Sequence, residues 1–204
     1  MRTNVAATRF ATAAIVVIAL GVAGLATGGP AQERPAANPV PSEPAGEASR
    51  AFVMHETPQP VPELSFVSGE GEKLSLADFR GRTILLNIWA TWCLPCRREM
   101  PALDRLQAEL GGRGFEVVPL SIDRDGVPKV RAFYQEIGLN SLGIYIDASG
   151  KAPYRVGALG IPTTLLIDPE GREAGRLAGE ADWDGPEFVT IIQQRLNKAA
   201  GTAD

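Results

Sequence analysis

The sequence predicts an α/β domain in which a central sheet carries helices on both faces. Short apolar runs alternate with segments whose apolar residues recur every three or four positions, a pattern typical of strands alternating with helices. The run at residues 84–90 is almost continuously apolar, as expected of a central strand that is buried on both faces. Cys93 and Cys96 follow this strand directly, so we expect them where the next helix begins.

The composition excludes several classes of function. With 45% hydrophobic residues, 22% charged residues and a formal net charge of -4, the chain lacks the basic excess that attracts nucleic acid. The only cysteines are Cys93 and Cys96, and the only histidine is His55. Two cysteines are too few for a disulfide framework, and together with one histidine they are too few for the four ligands of a structural zinc site. The sequence suggests no small-molecule cofactor.

The amino terminus has the pattern of an export segment. Arg2 and Arg9 lie in a basic start at residues 1–9, and residues 10–32 carry no charge. Such a stretch can cross a hydrocarbon core of about 30 Å, with its basic end held in the cytoplasm. The alternatives are a cleaved signal peptide, for which the small residues Gly24 and Ala26 offer a cleavage site, and a buried helix. Either an anchor or a signal peptide would place the domain in the periplasm or outside the cell.

A proline-rich spacer is predicted next. Eight of the sixteen prolines lie between residues 30 and 62, among alanine, glutamate and serine. Such a tract resists both helix and sheet and stays extended. We therefore expect a linker at residues 33–61 and the folded domain at residues 62–200.

The elements of the domain follow from local patterns, in chain order. Extended runs within residues 63–76 flank a glycine-containing loop at 69–72, which predicts a hairpin, and a helical turn is expected at 75–79. After the strand and the cysteines, apolar residues at helical spacing up to Gly111 predict a helix. Further strands are predicted at residues 115–122, 143–146, 163–167 and 173–177, and further helices at 127–137, 152–159 and 185–197. Pro119 cannot donate to a ladder, which indicates an edge or a bulge.

The cysteine pair has the chemistry of a redox switch. Unpaired N–H groups and the helix dipole lower the pKa of a thiol at Cys93, which is the candidate nucleophile. Cys96, one turn along the same face, is the candidate resolving thiol. Trp92 and Pro95 flank the pair, and Pro95 fixes φ early in the helix. A disulfide that closes so short a loop contributes about 2 kcal/mol at most to the free energy of unfolding, so the pair is of little use as a structural cross-link.

Three other interpretations of the pair stay open. Two inert buried cysteines would need no special flanking residues. A copper-binding metallochaperone would hold soft Cu(I) between the two thiolates, although no histidine or methionine cluster lies nearby in the sequence. A peroxidase would need threonine or serine three residues before its cysteine, where this chain has Ala90.

Residues 87–101 (NIWATWCLPCRREMP) resemble the TlpA-like branch of the thioredoxin superfamily, to which ResA and CcmG are related. The resemblance runs from about residue 62 to 196 and implies a thioredoxin fold with a mixed sheet. It also implies that residues 160–164 (GIPTT) form the cis-proline loop of that family, in which Pro162 lies opposite the cysteines and Ile161 offers its backbone to a bound partner. Residues 140–159 would be the central insert of the family.

The resemblance also implies a function. Family members are typically membrane-tethered protein-disulfide reductases that keep thiols reduced for cytochrome c maturation or for the copper centres of cytochrome oxidase. Residues 178–183 (AGEADW) resemble the same family and favour the role in assembling the copper centres of cytochrome oxidase. The partners would be client proteins with disulfides and a transmembrane thiol reductase as electron donor. The uncharged Leu94 and Pro95, with no histidine beside Cys96, also favour a reductant.

One position departs from thioredoxin itself. Asn87 stands where thioredoxin has the buried aspartate that assists its second cysteine, and an amide cannot accept that proton. The proton acceptor for Cys96 is therefore open. Glu99 and Glu180 are candidates, against the alternative that Glu99 is a solvated helix residue and Glu180 a loop residue.

Overall fold

The alternating pattern produces one mixed sheet covered by helices. The computed structural model describes residues 52–112 and 114–201, and within them eight strands and four α-helices form. The strands are β1 (Val53–Pro60), β2 (Ser65–Ser68), β3 (Lys73–Ser75), β4 (Thr83–Trp89), β5 (Phe115–Ser121), β6 (Tyr145–Ile146), β7 (Thr163–Ile167) and β8 (Arg172–Ala178). The α-helices are α1 (Leu94–Leu110), α2 (Gly126–Ile137), α3 (Ala152–Arg155) and α4 (Pro186–Gly201), and Leu76–Phe79 is a 3-10 turn.

The sheet order is β1-β8-β7-β4-β5-β6-β2-β3. The pairs β4–β5 and β5–β6 are parallel, whereas β7, β8 and β1 join antiparallel on the other side of β4. Every residue of β4 is buried, as its apolar sequence predicts. The predicted α/β fold with a mixed sheet is thus what the chain forms.

Alternation along β4 separates two apolar cores. Leu85 and Trp89 pack with residues of α1, α2 and α4 on one face. Ile84, Leu86 and Ile88 pack on the other face with the 3-10 turn and α3. Since side chains alternate along a strand, Asn87 points to the same face as Leu85 and Trp89, which is the face of α1.

The register of β4 and β7 determines where the site forms. Ile88 of β4 pairs with Thr163, the first residue of β7, and the two strands are antiparallel. The loop that follows β4 and carries the cysteines is therefore adjacent to the loop that precedes β7 and carries Pro162. Residues far apart in sequence meet at one end of the sheet for this reason.

The predicted linker ends earlier than expected. Residues within 33–61 were predicted to be extended spacer, but Val53–Pro60 forms β1, which pairs with β8. The prolines are compatible with a strand here because β1 is at the edge of the sheet and has a neighbouring strand on one side only. The folded region therefore begins before residue 62. The predictions for residues 1–32 and 33–51 lie outside the described residues.

Smaller differences have local causes. The helix predicted at 152–159 ends at Arg155, because Gly157 takes a left-handed φ of 66°. Pro119 stands just before the two residues of β5 that pair with β6, so at Pro119 that side of β5 has no neighbouring strand.

Within the described residues, no helix combines the length and the apolar character needed to span a bilayer.

Candidate active site

The two cysteines begin the helix that follows the central strand. Cys93 is the N-cap of α1, and the N–H of Cys96 points at its sulfur at 3.3 Å. Pro95 stands in the first helical turn, where its missing N–H leaves no bond unmade. The cysteines are joined by a disulfide, with their Cα atoms 5.2 Å apart. The local sequence thus places both sulfurs at the positive end of the helix dipole.

The two sulfurs differ in access. Cys93 retains slight exposure at 6%, whereas Cys96 is fully buried. A partner disulfide can therefore approach Cys93 but not Cys96. The roles predicted for the two residues, nucleophile for Cys93 and resolving thiol for Cys96, stay predictions.

The loop before β7 lies against the outer sulfur. The Ile161–Pro162 peptide bond is cis, and the carbonyl oxygen of Ile161 lies 3.7 Å from Cys93 Sγ. The loop is held in place on its other side, because the carbonyl of Pro162 accepts a hydrogen bond of 2.8 Å from Gly179 N–H. The backbone of Ile161 is thus adjacent to the sulfur that a partner must reach.

Exposed apolar side chains flank these two loops. Trp92 and Leu94, on either side of Cys93, are 66% and 68% exposed. Leu159 is fully exposed two residues before Ile161. We call Trp92, Leu94 and Leu159 the apolar rim. Clusters of exposed large apolar side chains mark surfaces that contact other molecules.

Glu99 corrects an expectation from sequence, because it is not a solvated helix residue. Its side chain lies one turn beyond Cys96 on α1, and the residue is 3% exposed. Its carboxylate accepts hydrogen bonds from Asn87 Nδ2 (2.8 Å), Trp183 Nε1 (2.8 Å) and Ala181 N–H (3.2 Å). Burial raises the pKa of Glu99 to about 7, although these three donors oppose the rise.

Asn87 is the centre of this buried polar group. Its amide donates to Glu99 and also to Thr164 Oγ1 of β7 at 2.8 Å. The Glu99 carboxylate therefore lies directly beside Asn87, whose own amide cannot accept a proton. Glu180, the other candidate acceptor, instead receives two hydrogen bonds of 2.8 Å from the exposed Arg98.

A second group of polar residues holds the turn that precedes Cys93. Asp123 is buried after β5 and accepts hydrogen bonds from Thr91 N–H (2.8 Å), Thr91 Oγ1 (2.7 Å) and Ser121 Oγ (2.7 Å). On the opposite side, Arg97 donates to the carbonyl of Thr91 at 3.3 Å and lies over the ring of Phe133. The turn is thus fixed through both backbone groups of Thr91.

The sequence indicates no role for Asp123 and offers Glu99 as one of two candidate proton acceptors. A helical projection offers a signal for Glu99, because its position falls between Leu103 and Leu106 on the buried side of α1. For Asp123 the signal was its place at the carboxyl end of a strand parallel to β4, the end at which the cysteines lie. Within the described residues, no cluster of three or more histidine, cysteine, aspartate or glutamate side chains could hold a metal ion.

The sequence is similar to that of known proteins. Residues 56–192 match the model of the Redoxin family. The chain is 32% identical over 120 residues to the thiol-disulfide oxidoreductase ResA of Bacillus thuringiensis subsp. konkukian, covering 59% of this chain and 68% of that protein. It is 40% identical over 115 residues to the thioredoxin-like protein YneN of Bacillus subtilis, covering 55% and 66%.

The fold is similar to that of a solved structure. The thiol:disulfide interchange protein of the thioredoxin family from Chlorobium tepidum is similar with a TM-score of 0.53 and 28% identity. The similarity covers 70% of this chain and 99% of that one. The mixed sheet and its helices are therefore a thioredoxin fold.

Proposed function

The chain belongs to the Redoxin family, and we propose that it is a thiol-disulfide oxidoreductase that reduces disulfides of client proteins through Cys93 and Cys96. One observation carries the proposal. The sulfur of Cys93 lies at a helix N-terminus, 3.7 Å from the carbonyl of Ile161, with Cys96 buried behind it. This arrangement exposes one sulfur to a partner and reserves the other for the second step.

The reaction proceeds in two exchanges. The Cys93 thiolate attacks one sulfur of the client disulfide, forms a mixed disulfide and expels the other client sulfur as a thiolate. Cys96 then loses its proton and attacks Cys93 Sγ, which expels the second client thiolate and leaves the Cys93–Cys96 disulfide. The client disulfide is reduced, and the cysteine pair is oxidised.

Glu99 is the proposed proton acceptor for Cys96. Both residues are buried on the same face of α1, one turn apart. A carboxyl whose pKa is raised to about 7 is matched to proton transfer near neutral pH. Glu99 thereby supplies the carboxylate that Asn87 lacks.

The N-terminus of α1 supports the first exchange. The N–H of Cys96 is directed at Cys93 Sγ, and a hydrogen bond to the charged form stabilises a thiolate. Since Leu94 and Pro95 add no charge between the cysteines, nothing between them stabilises the thiolate to the degree that makes a strong oxidant. We therefore assign the chain to the reducing side of the exchange.

The clients are proposed to be proteins, in an extended conformation at the site. The backbone of Ile161 lies beside Cys93, where a client segment could add as a strand. The side chains of the apolar rim lie within two residues of Cys93 or Ile161 and are exposed, which supports a protein client over a small charged disulfide.

The finer assignment is to the TlpA-like branch. In this proposal residues 10–32 anchor the chain in the cell membrane, or are cleaved as a signal peptide, and residues 33–51 tether the domain outside the cytoplasm. Residues 140–159 are the central insert. A transmembrane thiol reductase would return electrons to the pair, and the clients would serve cytochrome oxidase copper-centre assembly or cytochrome c biogenesis.

A trapping experiment tests the exchange. In a Cys96→Ser variant the second exchange cannot occur, so the full chain expressed in its cells should accumulate mixed disulfides with clients and with its electron donor. A variant in which both cysteines are serine is the matched control. If the single variant carries no more adducts than the double one, exchange through Cys93 is wrong.

The redox potential tests the direction of electron flow. We expect the full chain to equilibrate near or below roughly -240 mV in defined dithiol buffers, whereas a value near -120 mV, roughly that of DsbA, would make it an oxidant. Tight uptake of one Cu(I) per chain with little exchange would instead support the metallochaperone.

A further inference from the structure

The loop that follows β8 is fastened to α1 at three points. Residues 179–185, here called the clamp loop, meet three side chains of α1 within three turns of Cys96. Arg98 pairs with Glu180 through two hydrogen bonds of 2.8 Å, and Arg105 pairs with Asp184 at 2.6 and 3.2 Å. Between them, Glu99 accepts from the N–H of Ala181 and from Trp183 Nε1.

Packing fixes the orientation of the indole. Trp183 is fully buried, and its ring centroid lies 4.6 Å from that of Phe188 and 6.4 Å from that of Phe52. Its N–H is thus held 2.8 Å from Glu99 Oε2, on the opposite oxygen from the one that Asn87 contacts. The carboxylate is held between two donors that come from different parts of the fold.

We propose that Trp183 is a positioning residue of the exchange reaction, because its indole N–H holds the Glu99 carboxylate in place to receive the proton of Cys96. The inference rests on the proposed function and explains the AGEADW motif at residues 178–183, to which the reaction itself gives no role. It acts through Glu99 and does not touch the client.

The groups around Glu99 fix the direction of the expected effect. Burial raises the pKa of Glu99, the Trp183, Asn87 and Ala181 donors lower it, and the charge of Glu180 raises it. Cys96 lies one turn away on the same helix. Removing the indole N–H should therefore raise the pKa of Glu99 and leave less carboxylate at neutral pH.

The resolving step can be observed by itself. When the reduced full chain meets dithiobis(nitrobenzoate), Cys93 attack releases one coloured thiolate and Cys96 attack on Cys93 Sγ releases the second. The rate of the second release should rise with pH as Glu99 ionises. In Trp183→Phe we expect the midpoint of this rise to move up by about one pH unit, which slows the second release about fivefold at pH 7.

Two controls separate positioning from mere structural damage. Trp89→Phe removes another fully buried indole, whose Nε1 has no hydrogen-bond partner within the described residues, and should leave the midpoint in place. In a Glu99→Gln background, Trp183→Phe should cause no further change in the pH profile. A shift that persists without the Glu99 carboxyl, or a Trp183→Phe midpoint equal to that of the wild type, would overturn the proposal.

A surface variant keeps the test decisive if Trp183→Phe does not fold. Glu180→Gln removes a negative charge that raises the pKa of Glu99, so the midpoint should move to lower pH, opposite to the effect of Trp183→Phe. An upward or absent shift counts against the clamp loop. Failure of the proposed function is separate, because then the wild type itself would show no second release.

Discussion

The carboxyl of Glu99 is buried one turn beyond Cys96 on α1. Its three donors come from β4, from Ala181 and from Trp183, which approach only in the folded chain.

Glu99 should make stability depend on pH. Its pKa is about 7 in the folded chain and 4.5 when unperturbed, so the folded state binds more protons between these values. The contribution of Glu99 to the free energy of unfolding should therefore be complete below pH 4.5. It should be lost as the pH rises through about 7, which lowers the free energy of unfolding by up to about 3 kcal/mol. Urea unfolding of the oxidised chain at several pH values measures the slope.

A matched pair of variants isolates this effect. Glu99→Gln should flatten the slope of the unfolding free energy against pH, because an amide does not titrate. Glu109→Gln removes an exposed glutamate from the same helix and should retain the slope of the wild type. Equal slopes in Glu99→Gln and the wild type would show that Glu99 is already ionised at low pH.

At the scale of elements, neighbours decide what local patterns leave open. Strands β4 and β5 were predictable because their apolar runs are long and largely buried, and the cysteines were predictable because they follow β4 directly. Val53–Pro60 was not, since its prolines indicate a linker until β8 provides a partner on one side only. The approach of Ile161 to Cys93 likewise depends on the β4–β7 register, which no local pattern specifies.

The loop from α3 to β7 should contribute to client recognition. Leu159 is fully exposed two residues before Ile161, so Leu159→Ser leaves the core untouched and removes apolar area from the rim. We expect reduction of an unfolded protein disulfide to slow several-fold, with the reaction towards dithiobis(nitrobenzoate) unchanged. Val53→Ser removes an exposed apolar residue from edge strand β1 and should alter neither rate. Equal slowing with both disulfides would mean that Leu159 acts on the cysteines and not on clients.

At the scale of the whole molecule, the redox state of one short cross-link should change the stability of the entire fold. The folded chain and the cysteine pair are thermodynamically linked, so a pair that prefers the disulfide in the folded state stabilises the oxidised fold by the same free energy. For a two-electron couple, 30 mV corresponds to about 1.4 kcal/mol. Thioredoxin-like reductants and DsbA-like oxidants must therefore differ in the sign of this effect.

For a reductant we expect the oxidised full chain to unfold at higher urea concentration than the reduced chain, by more than the roughly 2 kcal/mol that so short a loop contributes alone. The Cys93–Cys96 disulfide lies at a helix N-terminus, where the N–H of Cys96 would also stabilise a Cys93 thiolate and so favour the reduced chain. Unfolding curves with and without a dithiol, and of a chain with both cysteines replaced by serine, measure the balance. A reduced chain more stable than the oxidised one would mean that the helix N-terminus prevails, as in DsbA, and that electrons flow from client to protein.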